Sequence, residues 1–227
     1  MVSGLELQDV RITKGGAPLV SLDCRVAPGE VLSIMGPSGI GKSTLLAFVT
    51  GTLPDAFQAT GRVFLDGADI TNRPPDKRMV GILFQDDLLF PHLSVGANMA
   101  FGLRPGGSAE ERRNKIADAL SDVGLDGYED RDPATLSGGQ KARVALMRML
   151  LSQPCALLLD EAFSRLDVAL REQTRTLVFS RAKALSLPVL MVTHDHDDAK
   201  AAGGSIIDLG QSSLSKIAVS SSKKRRH

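Results

Sequence analysis

The sequence predicts an α/β fold built around a mainly parallel sheet. Three short apolar segments with strand character, residues 31–35, 156–159 and 189–192, are separated by stretches with helical periodicity. The first segment runs into a glycine-rich loop and a helical pattern over residues 42–50, and the second ends in two carboxylates. Strands that alternate with helices form a parallel sheet covered on both faces, and chemistry gathers at the carboxyl ends of such strands.

Length and composition fit one substantial domain or two small ones. The chain has 227 residues, of which 43% are hydrophobic and 23% charged, both ordinary for a globular protein. The net charge of +1 argues against nucleic acid as a partner, because such binders carry a strong basic excess. No apolar run approaches the roughly 20 residues of a membrane-spanning helix, and the N-terminus lacks the pattern of a secretory signal. Cys24 and Cys155 lie in apolar segments and are expected to be reduced, as in a cytoplasmic protein.

The N-terminal part of the chain predicts a small antiparallel β-portion. Residues 5–12 partly alternate between apolar and polar, the pair Gly15 and Gly16 marks a turn, and residues 19–26 resume the strand pattern. Residues 61–65 and the Asp-Gly turn after them have the pattern of another hairpin arm.

A mostly helical subdomain is predicted from about residue 86 to residue 151. Ser108 and Glu111 form a capping-box start there, and an apolar helix face follows. We therefore expect one domain over residues 1–217 that includes this subdomain. The remaining residues, 218–227, are expected to form a disordered basic tail that ends in SSSKKRRH.

The glycine-rich loop fits the pattern G-x-x-x-x-G-K-[ST]. Glycines let successive N–H groups point inward at phosphate oxygens, and the helix after the loop adds the positive end of its dipole. Lys42 is expected to reach the β- and γ-phosphates, and the hydroxyl of Ser43 is expected to bind Mg²⁺. The pattern predicts nucleotide binding but does not distinguish the classes of P-loop NTPase. The loop consists of Gly36, Pro37, Ser38, Gly39, Ile40, Gly41, Lys42 and Ser43.

The second apolar segment ends in Asp160 and Glu161. Asp160 is placed to hold Mg²⁺, directly or through water, and Glu161 is placed to polarise an attacking water. Two adjacent acids could also be an ordinary solvated strand end, but the phosphate loop favours the catalytic interpretation.

Several further motifs resemble those of ABC ATPases and occur in the order of that family. Residues 136–140, LSGGQ, are similar to the signature motif and precede the acidic strand. Gln85 is similar to the Q-loop glutamine, residues 164–167 to the D-loop, and His194 to the switch histidine. The resemblance covers roughly residues 4–210.

This resemblance implies a P-loop NTPase with a RecA-like core that binds ATP and Mg²⁺ and hydrolyses ATP. It implies catalytic roles for Glu161, His194 and Gln85, and Mg²⁺ contacts from Ser43, Gln85 and Asp160. Further nucleotide contacts, some of them across a dimer, are implied for Thr44, Ser137, Gly138, Gly139, Gln140 and Asp167.

Within the family, the sequence looks most like bacterial importer subunits of the iron, polyamine and thiamine type. The likeness lies in residues 89–95 and 132–135, and residues 160–171 are especially close to one enterobacterial subunit of this type. It implies transmembrane permease subunits as partners, an external solute-binding protein, and two ATPase copies that pair when ATP binds. The expected location is the cytoplasmic side of the cell membrane, as a peripheral protein.

Two departures from the family pattern limit these expectations. Ala162 stands where the family usually has Pro. The family's adenine-stacking aromatic should lie near Lys14, but the chain has no Trp, and its one Tyr, Tyr128, lies in the helical section. Lys14 itself is then the expected neighbour of the base. A lysine stem offers less flat area than a ring, so we expect weak discrimination between ATP and GTP.

Other functions remain open at this point. A soluble ABC ATPase of DNA repair would carry long heptad insertions, and one of translation would carry two motors, and neither feature is found. A soluble ABC ATPase of iron–sulfur assembly is harder to exclude than these two classes. A subunit that binds ATP without turnover is disfavoured by the complete set of catalytic candidates.

Overall fold

The computed structural model describes residues 3–86 and 88–210, and the backbone of residues 218–219. Over these residues the chain forms two five-stranded sheets flanked by helices. The predicted α/β fold, with a separate antiparallel β-portion, is confirmed. Most of the predicted basic tail lies outside the described residues.

The antiparallel sheet is formed by the N-terminal part of the chain. Its strand order is β10-β2-β1-β4-β5, in which only β10 runs parallel to its neighbour. The turn between β1 and β2 contains Gly15 and Gly16, whose φ angles of +55° and +81° are left-handed and favour glycine. The predicted arm at residues 61–65 starts four residues earlier than expected. The strands are β1 (Leu5–Lys14), β2 (Ala17–Val26), β4 (Phe57–Leu65), β5 (Ala68–Asp69) and β10 (Ala218–Val219).

The second sheet is parallel throughout, with the order β6-β7-β8-β3-β9. Its central strands are apolar on both faces because helices cover one face and the antiparallel sheet and a helix cover the other. The strands are β3 (Val31–Met35), β6 (Val80–Leu83), β7 (Ala156–Asp160), β8 (Val189–Thr193) and β9 (Ser205–Asp208).

Helices fill the connections of the parallel sheet. The helix after the glycine-rich loop packs between the two sheets, in the largest apolar core. Three helices within residues 86–151 share a separate core, and the expected capping box of Ser108 and Glu111 starts one of them. No helix in the described part of the chain is long and apolar enough to cross a membrane. The helices are α1 (Lys42–Thr50), α2 (Val95–Gly102), α3 (Ala109–Ser121), α4 (Gly138–Leu151), α5 (Val168–Ala184) and α6 (His196–Ala202).

Candidate active site

A cavity of about 540 Å³ lies where β3 and β7 end. It joins the phosphate loop to the acidic strand end and to the segment after β6, as expected for the carboxyl edge of a parallel sheet. Of the predicted site residues, it is lined by Ser38, Gly39, Gly41, Lys42, Ser43, Thr44, Gln85, Asp160 and Glu161. It is also lined by Lys14, Leu19, Phe57, Phe84, Asp86 and Leu88.

The phosphate loop has the curled backbone that its glycines predict. Gly39 and Gly41 have φ angles of +84° and +103°. A Cβ atom at Gly41 would lie 2.7 Å from Val20 Cγ2 and 2.8 Å from Leu19 Cγ, so only glycine fits this approach to β2. The loop then leads directly into α1, and the first N–H groups of a helix suit an anion.

Lys42 is almost fully buried, and its ammonium group lies at the centre of the loop. Its Nζ donates to the carbonyl oxygens of Gly36 at 2.7 Å and Pro37 at 3.2 Å. It also lies 3.5 Å from Glu161 Oε1. One cation thus connects the loop to the acidic strand end.

Ser43 and Asp160 form an oxygen-rich pair beside the loop. The hydroxyl of Ser43 donates to Asp160 Oδ1 at 2.8 Å. Burial raises the pKa of Asp160, with the charge of Glu161 adding to the effect and the Ser43 hydrogen bond opposing it. No three His, Cys, Asp or Glu side chains of the described chain could hold a metal together. A hydroxyl and a carboxylate are oxygen ligands of the kind that Mg²⁺ takes, one or two at a time, together with substrate phosphates.

Glu161 is held in an unusual backbone conformation at the end of β7. Its φ angle of +47° is left-handed, and its carbonyl accepts both the N–H and the hydroxyl of Ser164, at 3.1 and 2.8 Å. His194, which follows β8, places Nδ1 3.1 Å from Glu161 Oε2. The carboxylate thus lies between Lys42 and a half-exposed imidazole, and faces the cavity.

The LSGGQ residues and Asp167 are not among the residues that line this cavity. Ser137 instead starts α4 with a capping box that it shares with Gln140. Asp167 caps α5 by accepting the N–H of Leu170 at 3.0 Å. Gly139 lies against α5, because a Cβ atom there would be 2.2 Å from Leu170 Cδ1.

Phe57 is a cavity residue that sequence reasoning missed. Antiparallel pairing of β1 with β4 places Phe57 directly opposite Lys14, whose Nζ lies 5.5 Å from the centre of the ring. An aromatic side chain is therefore present beside Lys14, but it is supplied by a neighbouring strand 43 positions later in the sequence. The signal that could have identified Phe57 is that it is an aromatic residue at the start of β4, another strand of the antiparallel sheet.

Comparison with known proteins agrees with this geometry. The sequence model of the ABC transporter family matches residues 19–164. The chain is 50% identical over 193 residues to the uncharacterized ABC transporter ATP-binding protein YnjD of Escherichia coli K12, covering 85% of this chain and 88% of that protein. It is 46% identical over 200 residues to the thiamine import ATP-binding protein ThiQ of Jannaschia, covering 86% and 84%.

A third relative is longer than this chain. The spermidine/putrescine import ATP-binding protein PotA of Nitrosomonas europaea is 38% identical over 218 residues, which cover 94% of this chain and 59% of that protein. The predicted family resemblance is confirmed. The chain belongs to the ABC transporter family, as an ATP-binding subunit with ATPase activity that works with membrane permease partners.

Proposed function

We propose that this chain hydrolyses ATP at the cavity between the phosphate loop and β7, and that this drives solute import. One observation carries the proposal: Lys42, Gln85, Asp160 and Glu161 line a single cavity, and His194 contacts Glu161 at its edge. Such a set is required for turnover, whereas a subunit that only binds nucleotide needs the phosphate loop alone.

The proposed chemistry divides between the loop and the acidic strand end. Backbone N–H groups of the loop and Lys42 hold the β- and γ-phosphates, and Thr44 adds a contact at the start of α1. Glu161 orients a water and accepts its proton as the water oxygen bonds to the γ-phosphorus. The β–γ bridging P–O bond breaks, and ADP and phosphate leave. His194 holds the Glu161 carboxylate and approaches the γ-phosphate. Mg²⁺, held by Ser43 and Asp160 and approached by Gln85, would neutralise charge on the phosphate oxygens.

We further propose that the signature motif acts on ATP held by a second copy. Its position outside the cavity of its own chain supports this idea. The start of α4 offers N–H groups that suit an anion, and Ser137, Gly138, Gly139 and Gln140 form that start. Asp167 caps the neighbouring helix and would face the partner. ATP would then favour a head-to-tail homodimer, because only the closed pair makes these contacts.

Exposed apolar side chains support a membrane partner next to Gln85. The side chains of Phe84, Leu88 and Phe101 are 44%, 54% and 71% exposed. The ring of Phe101 packs edge-on against that of Phe90, with centroids 4.7 Å apart. Exposed clusters of this kind mark interaction sites. We propose that a short helix of the permease packs here, which would place the chain as a peripheral protein on the cytoplasmic face of the membrane.

We propose that the solute is selected outside this chain. The relatives are named for thiamine and for spermidine and putrescine, which differ in chemistry, yet they are 46% and 38% identical to this chain. The shared ATPase therefore serves different solutes in different systems. Selection would fall to the permease and to an external solute-binding protein.

The proposal is tested by a pair of substitutions at the cavity. Glu161→Gln keeps the shape but removes the base, so it should preserve ATP binding and slow hydrolysis by about 10²-fold or more. An ATP-bound dimer should then accumulate in size-exclusion chromatography. Lys42→Ala should instead weaken ATP binding in calorimetry. Wild-type turnover by the Glu161→Gln chain would contradict the assignment, and co-purification with soluble partners alone would contradict the transport role.

A further inference from the structure

An arginine connects the two loops that follow β7 and β8. Arg171 lies in the first turn of α5, and its Nη1 donates to Asp195 Oδ2 at 2.6 Å. Its Nη2 donates to the carbonyl oxygens of Ser164 at 3.1 Å and Leu166 at 3.5 Å. Asp195 is the residue directly after His194, so one guanidinium contacts the segments that carry both reacting side chains.

Each end of this connection is fixed by further hydrogen bonds. Ser164 donates its N–H and its hydroxyl to the carbonyl of Glu161. Asp195 donates its N–H to Thr193 Oγ1 at 3.0 Å, and its carboxylate accepts N–H groups at the start of α6. A shift of the guanidinium would therefore move the backbone on both sides of the cavity edge.

The contact between Glu161 and His194 closes these bonds into a ring, because His194 and Asp195 are neighbours in the chain. The ring runs from Glu161 through Ser164, Arg171 and Asp195 to His194, and returns to Glu161 through the 3.1 Å contact. We propose that Arg171 is a positioning residue for ATP hydrolysis, which sets the distance between the Glu161 carboxylate and the His194 imidazole. This inference rests on the proposed roles of those two side chains.

The carboxylate of Asp195 keeps its negative charge at neutral pH. Burial acts to raise the pKa of Asp195, but N–H groups of Asp197 and Asp198 and the guanidiniums of Arg171 and Arg175 outweigh it, so the pKa lies below its ordinary value. Asp195 therefore stays ionised, and its bond to Arg171 is charge-assisted and short.

The geometry requires arginine at position 171 in particular. A guanidinium presents two Nη atoms in a fixed fork, one for the carboxylate and one for the carbonyls, whereas a lysine ammonium is a single point charge. Arg175, one turn later on α5, provides a matched control. It pairs with the carboxylate of Asp198 on α6 at 2.9 Å, and a lysine there can keep that single contact.

The test compares Arg171→Lys with Arg175→Lys in the full chain, after thermal melts have shown that both are folded. Arg171→Lys should lower kcat by about ten- to a hundredfold, the usual cost of misplacing a reacting group, with ATP affinity unchanged. Arg175→Lys should keep wild-type kcat. In a chain that already carries His194→Ala, Arg171→Lys should lower kcat only a little further, because the effects of residues that act as one unit do not add.

A spectroscopic measurement decides the same question without turnover. The imidazole resonance of His194, assigned by its loss in His194→Ala, should move in Arg171→Lys and stay in place in Arg175→Lys. An unmoved resonance together with wild-type kcat in Arg171→Lys would overturn the inference. A wild-type chain without ATPase activity would contradict the proposed function instead, and the resonance would still test the position of His194.

Discussion

Removing the ring of Phe57 should weaken ATP binding through the base and not through the phosphates. Stacking of a base on an aromatic side chain contributes about 1–3 kcal/mol. Lys14 Nζ already lies 5.5 Å from the ring centre, and displacing such an exposed cation costs about 0.5–1 kcal/mol. The net contribution should therefore fall near 1–2 kcal/mol, so Phe57→Ala should raise the Kd for ATP by roughly 5- to 30-fold.

Calorimetry with ATP, GTP and inorganic triphosphate separates the two parts of the nucleotide. Triphosphate has no base, so its affinity should be the same in wild type and Phe57→Ala. Phe64→Ala is the matched control, since Phe64 also lies on β4 beneath a cationic side chain, that of Arg62, but does not line the cavity. ATP and GTP should differ by less than about tenfold in wild type, because stacking tolerates any base. Equal losses for ATP and triphosphate in Phe57→Ala would refute the reasoning.

Two further predictions concern the permease contact and the acidic strand end. Phe101→Asp should abolish transport in reconstituted vesicles while the isolated chain keeps its ATPase activity, because Phe101 is exposed and is not among the residues that line the cavity. Ile206→Asp, at another exposed side chain, on β9, should keep both activities. Loss of both activities in Phe101→Asp would remove the support for coupling. Burial raises the pKa of Asp160 above its ordinary 3.8, so its ionised form subtracts from stability above that pH. Asp160→Asn should therefore melt at a higher temperature than wild type at pH 7 without nucleotide, and the difference should shrink towards zero as the pH falls below about 4; a difference that does not change with pH would contradict this.

Residues whose role depends on local sequence were predictable. The phosphate loop, the acidic strand end and the capping box at Ser108 each follow from residue types at short spacing, and the structure has them in the elements expected. The parallel sheet was predicted from short apolar segments that alternate with helical stretches.

Features that depend on contact between distant elements were not predictable. Phe57 reaches Lys14 only because of the register between β1 and β4, which the intervening sequence does not encode locally. The bond from Arg171 to Asp195 likewise joins α5 to the loop before α6, 24 positions apart. Neither charge pattern nor periodicity selects one such partner among the many acids of the chain.

The left-handed backbone at Glu161 bears on how variants of this protein would be screened and selected. An L-residue in this region costs about 1–2 kcal/mol, whereas glycine adopts it freely and asparagine adopts it more readily than glutamate. Replacement by either would therefore remove the proposed base and relax the backbone in the same step. Screens that rank variants by abundance, solubility or melting temperature would retain such inactive proteins, and only selection for growth on the transported solute would remove them.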